Sequence, residues 1–210
     1  MASLGAEFKL SAINSPPSAI PKTLAVIVER HPKTREIDMK NEFKLRPWSI
    51  ADLDSLVKYA NNWNIAKNMT DKFPFPYSEN NGKAFIEFAT KDDPIHIFAI
   101  EIDGQAVGGI GIHPQDDIHR KNAELGYWLA EPFWGQGIIS SAIKHAINFA
   151  FETYDIDRVF ARPFGTNTPS QKVLEKNNFV LEGKFEKVLM KDGILLDELI
   201  YAIRRKNWNK

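Results

Sequence analysis

The stretch Gly126–Ile138, reading GYWLAEPFWGQGI, carries the strongest chemical signal in the chain. It reads as a strand, then a tight glycine turn, then the start of a helix. Such a turn presents several backbone N–H groups at a helix N-terminus, where the helix dipole also favours negative charge. Together these make a site for a phosphate or pyrophosphate. Gly135 and Gly137 let the backbone approach that anion with no Cβ in the way. The same glycines also serve a strand–helix turn by geometry alone, and at this level both readings stand.

The elements that would position this turn follow from periodicity and punctuation. Phe43–Trp48 reads as a first strand. Ser49 caps a helix with Asp52 at its third position, and Leu53, Leu56, Val57 and Ala60 share one face. A second helix is expected over Glu79–Thr90, with Ala84, Phe85, Phe88 and Ala89 as its apolar side. Ile95–Ile102 and Gln105–His113 read as strands joined by the hairpin turn Asp103-Gly104, and Ala123–Ala130 as the next strand. Ile138–Thr153 is a long helix with Ile139, Ala142, Ile143, Ala146, Ile147 and Ala150 at helical spacing. There follow a strand over Arg158–Arg162, a helix over Pro169–Asn177, and a closing strand pair, Phe179–Lys187 and Leu195–Arg204, around Asp192-Gly193. The order predicts a mixed α/β fold with a mostly antiparallel sheet. Residues 1–39 form an N-terminal extension: a Ser-, Ala- and Pro-rich arm over 1–22, then a short strand Thr23–Glu29. That extension either packs on the main domain, residues 40–210, or reaches a second subunit.

Thirty residues beyond the glycine turn stand Asn167-Thr168-Pro169-Ser170, then the helical run QKVLEK and Asn177-Asn178-Phe179. Here the chain resembles the GNAT superfamily of N-acetyltransferases. The family's pyrophosphate loop, Q/R-x-x-G-x-G/A, is matched by Pro132–Gly137. Its next motif, an Asn followed three residues later by Ala or Ser on a helix ending near G-F, is matched by Asn167 and Ser170. The phrases AELGYWL, WGQGI and NTPSQKVLEKNNF, with Glu182-Gly183, are most similar to the Rim-type ribosomal-protein-alanine acetyltransferases. The resemblance spans about residues 43–203.

This resemblance implies the GNAT fold, with the strands over 123–130 and 157–163 splayed and flanked by helices. Their cleft would receive the pantetheine arm of acetyl-CoA, the co-substrate. It implies cofactor contacts at Trp134, Gly135, Gln136, Gly137, Ile138, Ser140, Asn167 and Ser170, with Ser140 donating to a phosphate. A backbone N–H near Trp128 or Leu129 would meet the thioester oxygen. Glu124 would act on the amine, directly or through a bridging water; read as a bare residue it is an edge-of-strand Glu paired with Arg120 or Lys121. Asn167 likewise caps a helix as readily as it bonds a pantetheine amide. The aromatic loop with Phe73, Phe75 and Tyr77 lies where the family lines its acceptor site, and core filling is its other reading.

Three departures matter. Many family members carry a Tyr seven residues after the Asn as the acid for the thiolate; here that place is Leu174, and the subgroup implies Ser170 in its stead. Pro132 replaces the first Gln/Arg of the loop, and Asn178 replaces the Gly before Phe179. An α-amino group has a pKa of about 7.7–8 and lysine about 10.4, so freeing lysine at neutral pH costs roughly 3 kcal/mol more. One carboxylate therefore suits a protein N-terminal amine better. A small-molecule amine (a polyamine, amino sugar or antibiotic) is the rival acceptor, and a non-catalytic CoA-binding module is a reading of another class, suggested by the missing Tyr. A dinucleotide fold is disfavoured, because the turn lacks a βαβ frame.

Composition bounds these readings. A chain of 210 residues with 43% hydrophobic content buries one full core. Lys plus Arg and Asp plus Glu are 27 each, so bulk charge does not hold a nucleic acid. The chain has no Cys, which excludes disulfides, cysteine-bound zinc and a Cys acyl-enzyme, and favours direct transfer to the amine. Five scattered His give no metal spacing, so no metal is expected. No apolar run reaches transmembrane length and no signal peptide is evident, so a cytoplasmic monomer or homodimer away from membranes is the expectation.

Overall fold

The computed structural model describes residues 42–208; the expected arm and the strand Thr23–Glu29 lie outside the described residues. Seven strands form one sheet in the order β1-β2-β3-β4-β5-β7-β6. They are β1 Lys44–Pro47, β2 Ile97–Ile102, β3 Gln105–Pro114, β4 Asn122–Leu129, β5 Arg158–Ala161, β6 Val180–Lys191 and β7 Ile194–Arg204. Every neighbouring pair is antiparallel except β4 and β5. The helices are α1 Leu53–Ala60, α2 Trp63–Ala66, α3 Glu79–Thr90, α4 Ile138–Thr153, α5 Thr168–Lys176 and α6 Arg205–Trp208. This is the mixed, mostly antiparallel architecture that the sequence predicts.

Alternation along the strands sends side chains to two separate cores. On one face Ala123, Leu125 and Leu129 of β4, Val159 and Ala161 of β5, and Leu199, Tyr201 and Ile203 of β7 meet α4. On the other face Trp128, Ile97 and Ala99 meet Trp48, Leu56, Ala60, Ile86 and Ala89, from the segment leading into α1 and from α1 and α3. The capping box expected at Ser49 is present, and Asp52 does more than cap. Its buried carboxylate accepts two bonds of 2.7 Å from Arg46, whose guanidinium also pairs with Glu101 of β2. These carboxylates hold the Arg46 proton above its ordinary range. The start of α1 is thereby tied to β1 and β2.

Two local expectations change. The buried stripe of α3 is Gly82, Ile86 and Ala89, with Phe85 against Trp48, while Ala84 and Phe88 face outward. Gly82 explains the rotation: a Cβ there would stand 2.7 Å from Leu53 Cδ1, so glycine lets α1 and α3 approach closely. Asn62 ends α1 as expected but also opens the short α2, accepting from the Asn64 N–H at 2.8 Å. Among the described residues no helix is long and apolar enough to cross a membrane, and no group of three or more His, Cys, Asp or Glu is placed to hold a metal ion.

Helix α4 sits central to the larger core, with Ala142, Ala146 and Ala150 at four-residue spacing along its buried side. Its C-terminal carbonyls would be left without partners. Arg205, the first residue after β7, closes this end, donating to the carbonyls of Phe151 in the last turn at 2.6 Å, of the C-cap Tyr154 at 2.8 Å and of Ile156 just beyond at 2.8 Å. Its guanidinium also lies 5.0 Å from the Phe151 ring centroid. A cation at a helix C-terminus adds a favourable dipole interaction. Replacing Arg205 with Met should remove three charge-assisted bonds and destabilise the fold by about 2 kcal/mol. Equilibrium denaturation in urea would show this as a lower midpoint with an unchanged slope.

Candidate active site

Strands β4 and β5 pair in parallel over three residues only: Asn122 with Arg158, Ala123 with Val159 and Glu124 with Phe160. Beyond that point β4 continues to Leu129, while the chain after β5 turns away and Phe164 bridges to Glu198 of β7. The two strands therefore part, as expected for the segments 123–130 and 157–163. The register of β4 on β3 is continuous, and the terminal bonds Ala130 N–H to Val107 and Gln115 N–H to Asn122 fix its phase. Even-numbered residues of β4 turn their backbone groups to β3, and odd-numbered residues turn theirs to the gap. Trp128, expected as a donor, thus faces Gly109 through its backbone. Tyr127 and Leu129 offer N–H groups to the gap. The Leu129 carbonyl is taken by the Trp134 indole, Nε1 donating at 2.7 Å.

At the wide end of the gap the chain makes the glycine turn. Gly135 and Gly137 have φ of 75° and 80°, and nothing stands within 4 Å of a Cβ built on either. No side chain caps α4: Gly137 is its N-cap, and the first helical bond runs from Ser141 N–H to the Gly137 carbonyl. The N–H groups of Ile138, Ile139 and Ser140 lie ahead of that first bond, at the positive end of a helix of 16 residues. Gln136 folds back, donating from Nε2 to the Pro132 carbonyl at 3.0 Å. The Ser140 side chain does not take the expected phosphate-donor position. It is buried between α4 and α5, with Oγ accepting from Asn177 Nδ2 at 3.1 Å. Spacing alone could not show this, because one residue of phase on a helix turns a side chain by about 100°.

Asn167 caps α5, its Oδ1 accepting from the Ser170 N–H at 3.3 Å. That bond holds the first turn of α5 beside the diverging end of β4, where the Ser170 hydroxyl lies 2.8 Å from the Tyr127 hydroxyl. Leu174, in the place of the family's Tyr, is fully buried.

Glu124 stands at the vertex of the gap on the opposite face. Its expected partners are otherwise engaged: Lys121 bonds Asp155 at 2.6 Å and Arg120 the Asp117 carbonyl. Glu124 instead receives a bidentate pair from Arg162, Nε and Nη2 each donating at 2.9 Å. A second carboxylate, Glu198 of β7, lies 3.7 Å from Arg162 Nη1. The Glu124 pair, with Glu198 behind it, raises the Arg162 pKa above its ordinary value. Phe160 and Ile200 line the hollow with these three charged groups and with Arg158, which pairs with Glu182 at 2.7 Å. Neither Arg162 nor Glu198 carried a mark in the sequence, since their meeting depends on β5 and β7 lying side by side.

The aromatic loop divides. Tyr77 is buried, and Phe73 packs between Tyr77 and Trp128, with ring centroids at 5.2 and 5.9 Å. Both fill the smaller core. Phe75 is exposed against Trp63.

Comparison with known proteins agrees with this geometry. The model of the acetyltransferase (GNAT) domain family matches residues 42–180. YdaF of Bacillus subtilis (strain 168), a candidate ribosomal N-acetyltransferase, is 37% identical over 106 residues, which are 50% of this chain and 57% of YdaF. The SPbeta prophage-derived uncharacterized N-acetyltransferase YokL of the same organism is 30% identical over 166 residues, covering 78% of this chain and 89% of YokL. Among solved structures, Mycobacterium smegmatis RimJ in complex with CoA-disulfide superposes with a TM-score of 0.69 at 25% identity, covering 80% of this chain and 84% of RimJ. A sheet parted between β4 and β5, an uncapped helix N-terminus at its wide end and a matching family model together place the chain in the GNAT family of N-acetyltransferases.

Proposed function

We propose that this protein moves the acetyl group of acetyl-CoA directly to the N-terminal amine of a protein. The observation that carries this reading is the Glu124–Arg162–Glu198 cluster at the vertex of the gap, open to solvent on the face away from α4. Within the cluster two carboxylates face one guanidinium, and the other guanidinium lining the hollow, Arg158, is already paired with Glu182, so a carboxylate is in excess for an incoming ammonium. The open hollow suits the end of a chain better than an enclosed pocket would, and the similarity to YdaF points to the same acceptor class. The RimJ complex supports CoA as the bound partner.

The residues divide the work. The first-turn N–H groups of α4 and the backbone of Gly135 and Gly137 hold the pyrophosphate. Tyr127 and Leu129 offer gap-facing backbone groups to the pantetheine amides, and the Leu129 N–H is placed for the thioester oxygen as negative charge grows there. Glu124 takes the proton of the ammonium, directly or through a water, and Arg162 fixes the direction of its carboxylate. The amine lone pair then forms the N–C bond, the C–S bond breaks with its electron pair left on sulfur, and the nitrogen gives up its second proton to solvent water to become the neutral amide. Ser170 donates a hydrogen bond to that thiolate, which takes its proton from water on release.

Two outcomes test this. Gly137→Ala puts a side chain into a left-handed backbone conformation, so the loop must shift; the KM for acetyl-CoA should rise about tenfold with kcat little changed. Thiol release should depend on peptides with a free N-terminus and fall by about tenfold or more in Glu124→Gln. Equal turnover with Nα-blocked, lysine-bearing peptides, or turnover with small amines alone, would replace the acceptor assignment. CoA binding with no release from any amine would favour a binding module.

A further inference from the structure

The phenol that many relatives carry on the helix after the Asn motif is absent here, because Leu174 points into the core. The structure nevertheless brings a phenol beside Ser170 from another element. Tyr127 projects from β4 to the α4–α5 side of the sheet, three residues past the last pair with β5, and its hydroxyl lies 2.8 Å from Ser170 Oγ. We propose that Tyr127 is a positioning residue for acetyl transfer, one that turns the Ser170 hydroxyl proton into the gap toward the departing sulfur. This rests on the reading above that places the thioester in that gap.

The hydrogen-bond inventory carries the argument. A serine hydroxyl has one proton and two acceptor lone pairs. Among the described residues the Tyr127 hydroxyl reaches only Ser170, at Oγ and, at 3.5 Å, at the Ser170 carbonyl. Either hydroxyl can donate across the 2.8 Å contact; with a thiolate accepting from Ser170, the phenol proton goes to Oγ. The Ser170 proton is then left for a third partner, and its own backbone is held by Asn167. Burial pushes the Tyr127 pKa up to about 12, with the Ser170 contact acting the other way, so the phenol keeps its proton at neutral pH. Tyr127 therefore stays a donor and is not itself deprotonated by the thiolate. Its donation polarises the Ser170 O–H, which strengthens the bond that O–H makes in turn.

The faces of β4 agree with this assignment. Glu124 lies on the even-numbered side, where the amine approaches, and Tyr127 on the odd-numbered side, where α5 presents Ser170. Proton removal and thiolate stabilisation thus occur on opposite faces of one strand. The atoms balance as before: N–C forms, C–S breaks, one ammonium proton goes to Glu124, the second leaves the nitrogen to water, the thiolate takes one from water on release, and Ser170 and Tyr127 exchange no proton in net.

The test is a double-mutant cycle on the single-turnover rate of acetyl transfer, with KM for acetyl-CoA measured in parallel. Tyr127→Phe removes one hydroxyl and keeps the ring; the transfer rate should fall about tenfold while KM stays within about twofold. Ser170→Ala should fall at least as far, and the double variant should be no slower than Ser170→Ala. A full rate in Tyr127→Phe beside an impaired Ser170→Ala would overturn the role of Tyr127 while leaving the acetyl-transfer reading intact. Losses that multiply in the double variant, or a KM that rises in step with the lost rate, would also overturn it. A full rate in Ser170→Ala would instead remove Ser170 from the sulfur, and this inference with it. Should Tyr127→Phe fail to fold, fluorotyrosine at position 127 keeps the packing and makes the phenol a stronger donor. The rate should then rise, and an unchanged rate would count against the proposal.

Discussion

A parallel strand pair that stops after three residues is an unusual thing to place in the middle of a sheet. The cost of leaving strand edges unpaired in an interior is high, because each buried N–H or C=O without a partner forfeits a hydrogen bond it would make with water. Here β4 and β5 separate after Glu124 and Phe160, and the backbone of Tyr127 and Leu129 is left facing a gap. The rest of the molecule is arranged around that parting. On one side β4 is held over seven residue pairs by β3, and on the other β5 is held by β7. The Leu129 carbonyl finds the Trp134 indole. What remains unpaired is the surface on which an amide-bearing ligand can complete the sheet.

The helices serve the same constraint. Helix α4 crosses the larger core and delivers its uncapped N-terminus to the wide end of the gap, while Arg205 closes its other end. One end of the helix is satisfied by the protein, while at the other no side chain caps the first turn. Asn167 and Pro169 start α5 so that its first turn, with Ser170, stands beside β4. Helices α1 and α3 cover β2 and β3 on the other face, and the β4–β5–β7 hollow carries Glu124, Arg162 and Glu198 in the open.

How much of this could be read from residues depended on the range of the interaction. The glycine turn, the Ser49 capping box, the Asn167 cap and the α4 periodicity are local patterns, and each is found where the sequence puts it. The strands along the chain follow from turn residues and alternation, whereas the place of β7 between β5 and β6 in the sheet does not. The chemistry of the site is less local. Arg162 meets Glu124 across 38 positions, Tyr127 meets Ser170 across 43, and Ser140 meets Asn177 across 37. None of these partners is marked by its neighbours in sequence, and each changes what a motif residue does. Gly82 shows the same limit within a helix: the residue that sets how α3 packs is the one with no side chain to signal a buried face.

The two polar ties across the gap have a mechanical meaning. Glu124 with Arg162 fastens the vertex on one face, and Tyr127 with Ser170 fastens β4 to α5 on the other. A strand pair that would otherwise flare under its twist is thus stitched at two heights and on two sides. The slot is then a fixed gauge rather than a hinge. On the function proposed above, a thioester arm would meet walls already tied to one another, leaving little ordering of the protein to be done on binding.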